Sequence, residues 1–387
     1  MGDNAIMKNV LVYLYYPFVS QHLSGGVQVI MRKVLEELSG HGFKFRVLCP
    51  KIKVPSDILS IPGVEVLPVL NDFQNNRNYT ELSENFSILN KHVSWADVIW
   101  TIDRNVPIRT NKPIVLSLNA HWYATNQNAL FSMNWDRIVV LSEYSKSILE
   151  KTIKPNFWHG NNTPKIETIS PVLSEILYKR EDSSCLKKYF DFDSNKKYIL
   201  FPHRPDKGKG HRKAIDVLKA LCVREKDYIL LIPGVATLSD SLKNTEKSII
   251  NDALIYAEEI GVRDNVILHD WVKYNDLPYF YSAGTATLIA SDLEETFGMT
   301  LTDSILCGCP VVSTGSGALK FTVPDGLGHK ILDYSKPEEV ARVILSGITG
   351  VEEGIKYIKS KYDTNEIIQK YEHLFDTVQK TDGVYYE

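Results

Sequence analysis

The segment Ser291–Ser316 contains the residues whose types and spacing are best suited to chemistry. Glu295 stands just before the pair Phe297-Gly298, and Asp303 follows Glu295 by eight positions. A glycine here lets a ligand approach the backbone, and the free N–H groups of a helix start bind anionic or hydroxyl-bearing groups. The pattern therefore predicts a helix that begins near Met299, and the two carboxylates with the glycine between them are compatible with many ligands, a sugar nucleotide among them.

Asp303 would share one face of that helix with Met299 and Leu306, which are expected to be core residues. A carboxylate on a partly apolar face loses hydration unless it binds hydrogen-bond donors, and ribose hydroxyl groups would serve. The neighbouring acid Glu294 is expected to face solvent.

A second candidate is the loop Phe201–Gly210, at the end of a predicted strand. Arg204 and Lys209 stand five positions apart in this loop, so two fixed cations can converge on one polyanion. The guanidinium offers a planar fork for two phosphate oxygens, and the ammonium offers a point charge. A solvated basic loop is the alternative, but the position at a strand's carboxyl end favours binding.

Two weaker candidates lie in the first half of the chain. Gly25 and Gly26 precede a predicted helix, where they permit a tight turn with free N–H groups for a phosphate or a sugar hydroxyl; a purely structural turn is the alternative. The dinucleotide pattern Gly-x-Gly-x-x-Gly and the P-loop are both absent. His121 follows the predicted strand Ile114–Leu118 and could donate a hydrogen bond or move a proton; the alternative is a histidine without a functional role, as most single histidines are.

Length and composition limit the class of protein. A chain of 387 residues with 44% hydrophobic residues exceeds one usual core and predicts two domains. Residues 1–180 carry 19 Lys+Arg against 15 Asp+Glu, a balance of +4 that suits an anionic partner or reflects ordinary surface variation.

The cysteines and the hydropathy predict the compartment. Five scattered cysteines fit reduced thiols, and Cys307-x-Cys309 is too closely spaced for a usual metal pair. No apolar run approaches the roughly 20 residues that span a bilayer, and no export pattern precedes the first strand. We therefore expect a cytoplasmic protein.

The elements that position these residues alternate along the chain. Short apolar runs, from Val10–Tyr15 to Pro310–Ser313, alternate with helix-length amphipathic segments, which predicts an α/β protein with parallel sheets covered by helices. Pro171–Lys197 is charged and weakly periodic, as linkers are, and the strand–loop–helix pattern begins afresh after it. Two doubly wound domains would place ligands in a cleft at the carboxyl ends of their sheets.

Taken in order, these segments resemble the GT-B fold glycosyltransferases of retaining glycosyltransferase family 4, also called glycosyl transferases group 1. The resemblance covers nearly the whole chain. It rests on five features: the Gly25-Gly26 loop, Trp135–Ser145, the Arg204/Lys209 pair, Val266–Val272 with the following Asp276-Leu277-Pro278, and Glu295–Val312.

The resemblance implies a GT-B fold of two doubly wound Rossmann-like domains that face a central cleft. Residues 1–172 would form the acceptor-binding domain and residues 196–364 the nucleotide-sugar-binding domain. Residues 173–195 would link them, and residues 365–387 would form a C-terminal helix that packs back on the first domain.

The resemblance also implies roles for residues. Arg204 and Lys209 would bind the donor diphosphate and Glu295 the donor sugar; with His121 they are the expected catalytic residues. Asp303 stands where the family has a Glu that binds ribose, and the shorter side chain implies a bridging water or a lower nucleotide affinity. The expected substrate-binding residues are Gly25, Gly26, Trp271, Val272, Phe297, Gly298, Met299, Thr300 and Asp303.

The implied reaction moves a hexose-type sugar from a UDP-, GDP- or ADP-sugar with retention, by front-face attack, with no cofactor or metal and no nucleic acid partner. Asp270 replaces a frequent Gly in the loop near the base, so the nucleotide stays open. The acceptor would be a glycan, a lipid-linked sugar or a small molecule; a lipid-linked acceptor with peripheral membrane contact suits the basic first half. The alternatives are a nucleotide-sugar epimerase or hydrolase on the same fold, and a catalytically idle sugar-nucleotide-binding partner subunit.

Overall fold

The computed structural model describes residues 7–18, 26–51, 58–71, 79–106, 108, 110–120, 123–132, 135–154, 164–235 and 244–381. The chain divides into two compact units. The first unit runs to Val172 and resumes at Tyr362, and the second unit is Leu173–Lys361.

The first unit is built on a seven-stranded parallel sheet in the order β3-β2-β1-β4-β5-β6-β7. Its central strands are apolar and buried throughout, as expected of strands covered by helices on both faces. The strands are β1 (Lys8–Tyr13), β2 (Phe43–Pro50), β3 (Val64–Leu70), β4 (Val98–Ile102), β5 (Ile114–Leu118), β6 (Arg137–Val140) and β7 (Lys165–Thr168).

The helices of the first unit are amphipathic segments that cover this sheet. In the first of them Ile30, Val34 and Leu38 recur every four residues and are buried, so one apolar stripe is covered. The helices are α1 (Gly26–Leu38), α2 (Tyr79–Val93), α3 (Ala124–Ser132) and α4 (Glu143–Ile148), the last continuing as a π-helical turn Leu149–Ile153.

The second unit repeats this plan with a six-stranded parallel sheet in the order β10-β9-β8-β11-β12-β13. In both sheets the strand order reverses direction beside the first strand, between β1 and β4 in one and between β8 and β11 in the other. Ligands of doubly wound proteins bind outside the carboxyl ends of strands at such a point. The strands are β8 (Lys197–Leu200), β9 (Tyr228–Val235), β10 (Val266–Asp270), β11 (Gly284–Ile289), β12 (Val311–Ser313) and β13 (His329–Ile331).

Helices and short 3-10 turns complete the second unit. Its helices are α5 (His211–Cys222), α6 (Asn244–Glu259), α7 (Leu277–Ser282), α8 (Met299–Leu306), α9 (Leu319–Thr322), α10 (Pro337–Ser346) and α11 (Val351–Lys361).

The last helix, α12 (Thr364–Thr377), belongs to the first unit. Its Phe375 ring lies 5.3 Å from that of Trp100 and 6.0 Å from that of Phe43, centroid to centroid. Beyond the helix, Lys380 reaches back to the buried carboxylate of Asp136, with 3.1 Å between Nζ and Oδ2. The boundary between the units falls at Lys361/Tyr362, three residues before the expected one.

Residues 173–195, expected to be a linker, are part of the second unit. Leu186 and Phe190 are buried, and the Tyr189 hydroxyl donates to Asp276 at 2.6 Å. Most of the charged residues that suggested a linker face outward, while buried apolar side chains, Leu186 and Phe190 among them, anchor the segment.

Among the described residues no helix is both long enough and apolar enough to cross a membrane.

Candidate functional site

The main candidate site lies in the second unit, where the loops after β8 and β11 meet. The first loop carries Arg204 and Lys209 and ends at α5; the second carries Glu295 and ends at α8. Because β8 and β11 are adjacent and parallel, both loops leave the sheet at the same edge, at the point where the strand order reverses.

The close approach of the two loops depends on Gly210, which precedes α5 with φ +88°. A Cβ at this residue would lie 2.2 Å from the Ala290 carbonyl oxygen, so only glycine permits the approach. The Asp292 N–H donates to the Gly208 carbonyl at 2.8 Å and ties the two loops together. The backbone therefore fixes the distance between the basic and the acidic loop.

Lys209 and Glu295 form an ion pair across the two loops. The Lys209 Nζ lies 2.6 Å from the Glu295 Oε1, and each side chain is only 15% exposed. Two predicted site residues that stand 86 positions apart in sequence are thus in direct contact. A cation and a carboxylate that neutralise each other can exchange partners when an anionic, hydroxyl-bearing ligand enters.

Arg204 has a different environment from Lys209. Its side chain is exposed, and none of the described residues forms a hydrogen bond or ion pair with it. The preceding His203 is buried, its Nε2 lies 3.1 Å from the Leu288 carbonyl oxygen, and burial lowers its pKa to about 3. His203 therefore anchors the loop as a neutral imidazole and leaves the Arg204 guanidinium open to a ligand.

Glu295 is held at its backbone by the segment that precedes α9. The Ala318 N–H donates to the Glu295 carbonyl at 2.7 Å, and a Cβ at Gly317 would lie 2.4 Å from the same oxygen. The Thr322 hydroxyl donates to the carbonyl of the buried Phe297 at 2.6 Å. Phe297 therefore acts as a packing residue that fixes the loop.

Gly298 starts α8, as the sequence predicted, with φ +95°. A Cβ here would lie 2.4 Å from the Leu319 Cδ2. Met299 and Thr300 form the first turn of the helix and are half-buried, with the Thr300 hydroxyl hydrogen-bonded to Tyr281. As at every helix start, the N–H groups of these first residues have no carbonyl partner within the helix.

Asp303 lies deeper in the same helix. The residue keeps part of its surface exposed, but its Oδ1 is buried with no hydrogen-bond partner among the described residues. Burial raises the pKa of Asp303 to about 7, opposed by a hydrogen bond from Thr302. A buried, unsatisfied carboxyl oxygen is costly, and a hydroxyl donor would relieve that cost.

Trp271 and Val272 follow β10, at the carboxyl edge of the same sheet. Both are half-buried, and the Trp271 N–H donates to the Asp270 Oδ1 at 2.7 Å. The side chain of Asp270 therefore caps its own loop, which is a role that glycine could not fill.

Residues 185–360, which contain all of these loops, match the family model of Glycosyl transferases group 1. This stretch is a group 1 glycosyltransferase domain. The chain is also 27% identical over 220 residues to a 4-alpha-N-acetylgalactosaminyltransferase of Campylobacter jejuni that acts on a diphospho-undecaprenol-linked sugar, covering 56% of this chain and 53% of that protein. In two further curated relatives the aligned region spans 41% and 21% of the relative's length.

Solved structures extend the likeness to both units. Sucrose-phosphate synthase from Thermosynechococcus elongatus superimposes with a TM-score of 0.76 at 16% identity, over 95% of this chain and 98% of that one. HepE from Anabaena, solved with UDP and glucose, gives 0.70 at 15% identity, over 96% and 100%. The chain has the two-domain α/β GT-B fold that the sequence predicted.

Three of the candidate residues belong to the first unit: Gly25, Gly26 and His121. Gly26 is the first residue of α1, as expected of a glycine before a helix. Gly25 and His121 lie outside the described residues. At the carboxyl edge of the first sheet the structure also shows Asp103, which directly follows the apolar strand β4. Sequence reasoning missed this residue.

Proposed function

We propose that this chain is a retaining glycosyltransferase that moves a hexose-type sugar from a nucleoside-diphosphate sugar to a glycan, lipid-linked or small-molecule acceptor. The observation that carries the proposal is the Lys209–Glu295 pair, within the group 1 glycosyltransferase domain and at the carboxyl ends of β8 and β11. Such a pair provides one cation for phosphate and one carboxylate for sugar hydroxyls.

Donor binding would work by partner exchange. The donor diphosphate would take over the Lys209 ammonium, and Glu295 would then be free to accept hydrogen bonds from the sugar. Arg204, exposed and without a polar partner among the described residues, would reach the same diphosphate. The ion pair keeps both groups in place before the donor arrives, so little reorganisation is needed.

In the chemical step, negative charge grows on the departing diphosphate while the sugar becomes oxocarbenium-like. The two cations and the first N–H groups of α8 would stabilise that charge, and no step here requires a metal. The family resemblance favours a front-face attack, in which the departing phosphate accepts the proton of the acceptor hydroxyl.

Asp303 would bind the ribose of the donor. Its buried Oδ1 lacks a partner among the described residues, and a ribose hydroxyl is a donor of the right kind. UDP-sugars are the first donors to test, because HepE was solved with UDP and glucose. GDP- and ADP-sugars complete the panel, and selective thermal stabilisation by one nucleotide would identify the donor.

The decisive test compares Glu295→Gln and Arg204→Ala with Glu294→Gln, an exposed acid beside the site. We expect the first two to lower transfer at least about 100-fold, the usual scale for one lost charge-stabilising group, while all three stay folded. Near-normal transfer in both site variants would refute the proposal.

Incubation of donor without acceptor separates transfer from an epimerase or hydrolase, and donor turnover by the purified chain excludes an idle subunit.

A further inference from the structure

The first unit has its own cluster of polar groups at the point where the strand order of its sheet reverses. Tyr16 follows β1, the pair Asp103-Arg104 follows β4, and Asn119 follows β5. These strands are adjacent in the sheet and parallel, so their carboxyl ends lie at one edge. In the separate sheet of the second unit, the corresponding carboxyl edge carries Lys209 and Glu295.

Asp103 is held in place at a backbone cost. Its φ of +56° makes it the one non-glycine residue with positive φ among the described residues. The Asn119 N–H donates to its Oδ1 at 2.7 Å, and the Asn119 Nδ2 donates to its Oδ2 at 3.3 Å. Strained residues of this kind are retained where the surroundings fix them, and they cluster at functional sites.

Arg104 is fixed beside it. The guanidinium carbon lies 4.2 Å from the centroid of the Tyr15 ring, and Nη1 donates to the Asp103 carbonyl at 2.9 Å and to the Asn126 Oδ1 at 3.2 Å. The Nε–H is nevertheless buried with no hydrogen-bond partner in the part of the chain that the structure describes. An immobilised guanidinium therefore retains one unused donor.

Tyr16 supplies a second unused polar atom. Its hydroxyl is buried, and no described residue forms a hydrogen bond with it. Burial, and next the carboxylate of Asp103, raise the pKa of Tyr16, while Arg104 lowers it. The hydroxyl therefore lies within the field of both charged groups.

Resting on the function proposed above, we infer that this cluster binds the acceptor, and that the ligand is an uncharged polyol or sugar ring. Two donors that lack partners among the described residues, the Tyr16 hydroxyl and the Arg104 Nε–H, lie near the carboxylate of Asp103. A sugar hydroxyl satisfies such a set because it accepts from one group while it donates to another. An apolar ligand would leave both donors unpaired, and the charge of Asp103 offsets that of Arg104, so the pair offers a phosphate no net positive charge.

The test measures binding of uncharged saccharides to the full chain without nucleotide. The probes are glucose, galactose, N-acetylglucosamine, N-acetylgalactosamine and myo-inositol. Their binding is measured by saturation-transfer NMR and calorimetry. The variants are Tyr16→Phe, which keeps the ring, and Asp103→Asn. The control is Asp97→Asn, at the amino end of the same strand β4, where the carboxylate accepts the Asn9 N–H at 2.9 Å.

We expect at least one probe to bind, and each site variant to weaken it about tenfold, as for loss of about 1.4 kcal/mol of hydrogen bonding. Asp97→Asn should bind like the wild type. If Asp103→Asn does not fold, Tyr16→Phe decides alone.

The inference is overturned if no probe binds the wild-type chain, if the site variants bind like the wild type, or if glucose 6-phosphate binds more tightly than glucose. Thermal shifts with UDP, GDP and ADP in the same variants separate this outcome from failure of the proposed function. If a nucleotide still stabilises the variants and the variants bind saccharides like the wild type, only the acceptor site is refuted.

Discussion

Substitution of Asp303 by Asn offers the most direct test of how the glycosyltransferase domain is built. The ordinary pKa of an Asp carboxyl is 3.8, and burial raises that of Asp303 to about 7. As the pH rises through 4, the unfolded chain loses this proton before the folded chain does. The folded state therefore binds more protons between pH 4 and pH 7, and its stability falls across that range.

The size of the effect follows from the pKa difference. At about 1.4 kcal/mol for each pKa unit, a carboxyl with a pKa of about 7 instead of 3.8 costs about 4 kcal/mol once it is ionised in both states. Because Asp303 keeps some exposure, we expect about 2 to 4 kcal/mol. Asn has the same shape and no charge, so the variant avoids this cost at every pH.

Thermal unfolding of the two proteins at pH 5 and pH 8 measures the difference. We expect the advantage of Asp303→Asn to grow by about 5 to 10 °C in Tm between the two pH values, at about 2 to 4 °C per kcal/mol for a unit of this size. Asp264→Asn, an exposed acid of the same unit, is the control and should not change with pH. The same samples should show a weaker thermal shift with the donor nucleotide, because Asn offers a poorer acceptor to ribose.

A Tm advantage that is equal at pH 5 and pH 8 would contradict the assignment of Asp303 as a buried, neutral carboxyl. An Asn variant that is less stable than the wild type at pH 8 would show that the Asp303 oxygens have partners in solution. A variant with an unchanged nucleotide shift would refute the ribose role alone.

Two further predictions concern residues that hold loops and chain segments in place, one in each unit. Gly210→Ala should lose about 1 to 3 kcal/mol of stability and most of its transfer activity, because its Cβ would lie 2.2 Å from the Ala290 carbonyl oxygen. Gly42→Ala, with a similar φ of +88° and no atom near its Cβ, should show only the smaller cost of the backbone strain; equal losses in denaturant melts would contradict the role of the close contact. Asp136→Ala should cost about 2 to 4 kcal/mol and expose the chain after α12 to protease, because its buried carboxylate accepts from the Ile114 N–H at 2.7 Å and from the Thr381 N–H at 2.6 Å. An unchanged Tm and cleavage pattern would show that this anchor contributes nothing.

Local patterns in the sequence predicted the elements where the apolar signal was strong. Alternation of apolar runs and amphipathic segments indicated parallel sheets, and the Phe297-Gly298 pair indicated the start of α8. The three-residue strand β13 (His329–Ile331) was missed, because a strand this short with His and Lys has no periodic signal. Residues 173–195 were misassigned because their charged surface masks Leu186 and Phe190, which are buried.

The sequence alone determined which residue types stand at the ends of the strands, since it shows Arg204, Lys209 and Glu295 each in a loop between a predicted strand and a predicted helix. Only the tertiary structure decided that Lys209 and Glu295 pair directly while Arg204 stays open, and that Tyr16, Asp103 and Arg104 share one edge of the first sheet. The physical reason is that a loop's composition is local, whereas strand order, close approach at a glycine and burial are set by residues far away in sequence. Burial in turn decides the charge of Asp303, which no sequence pattern records.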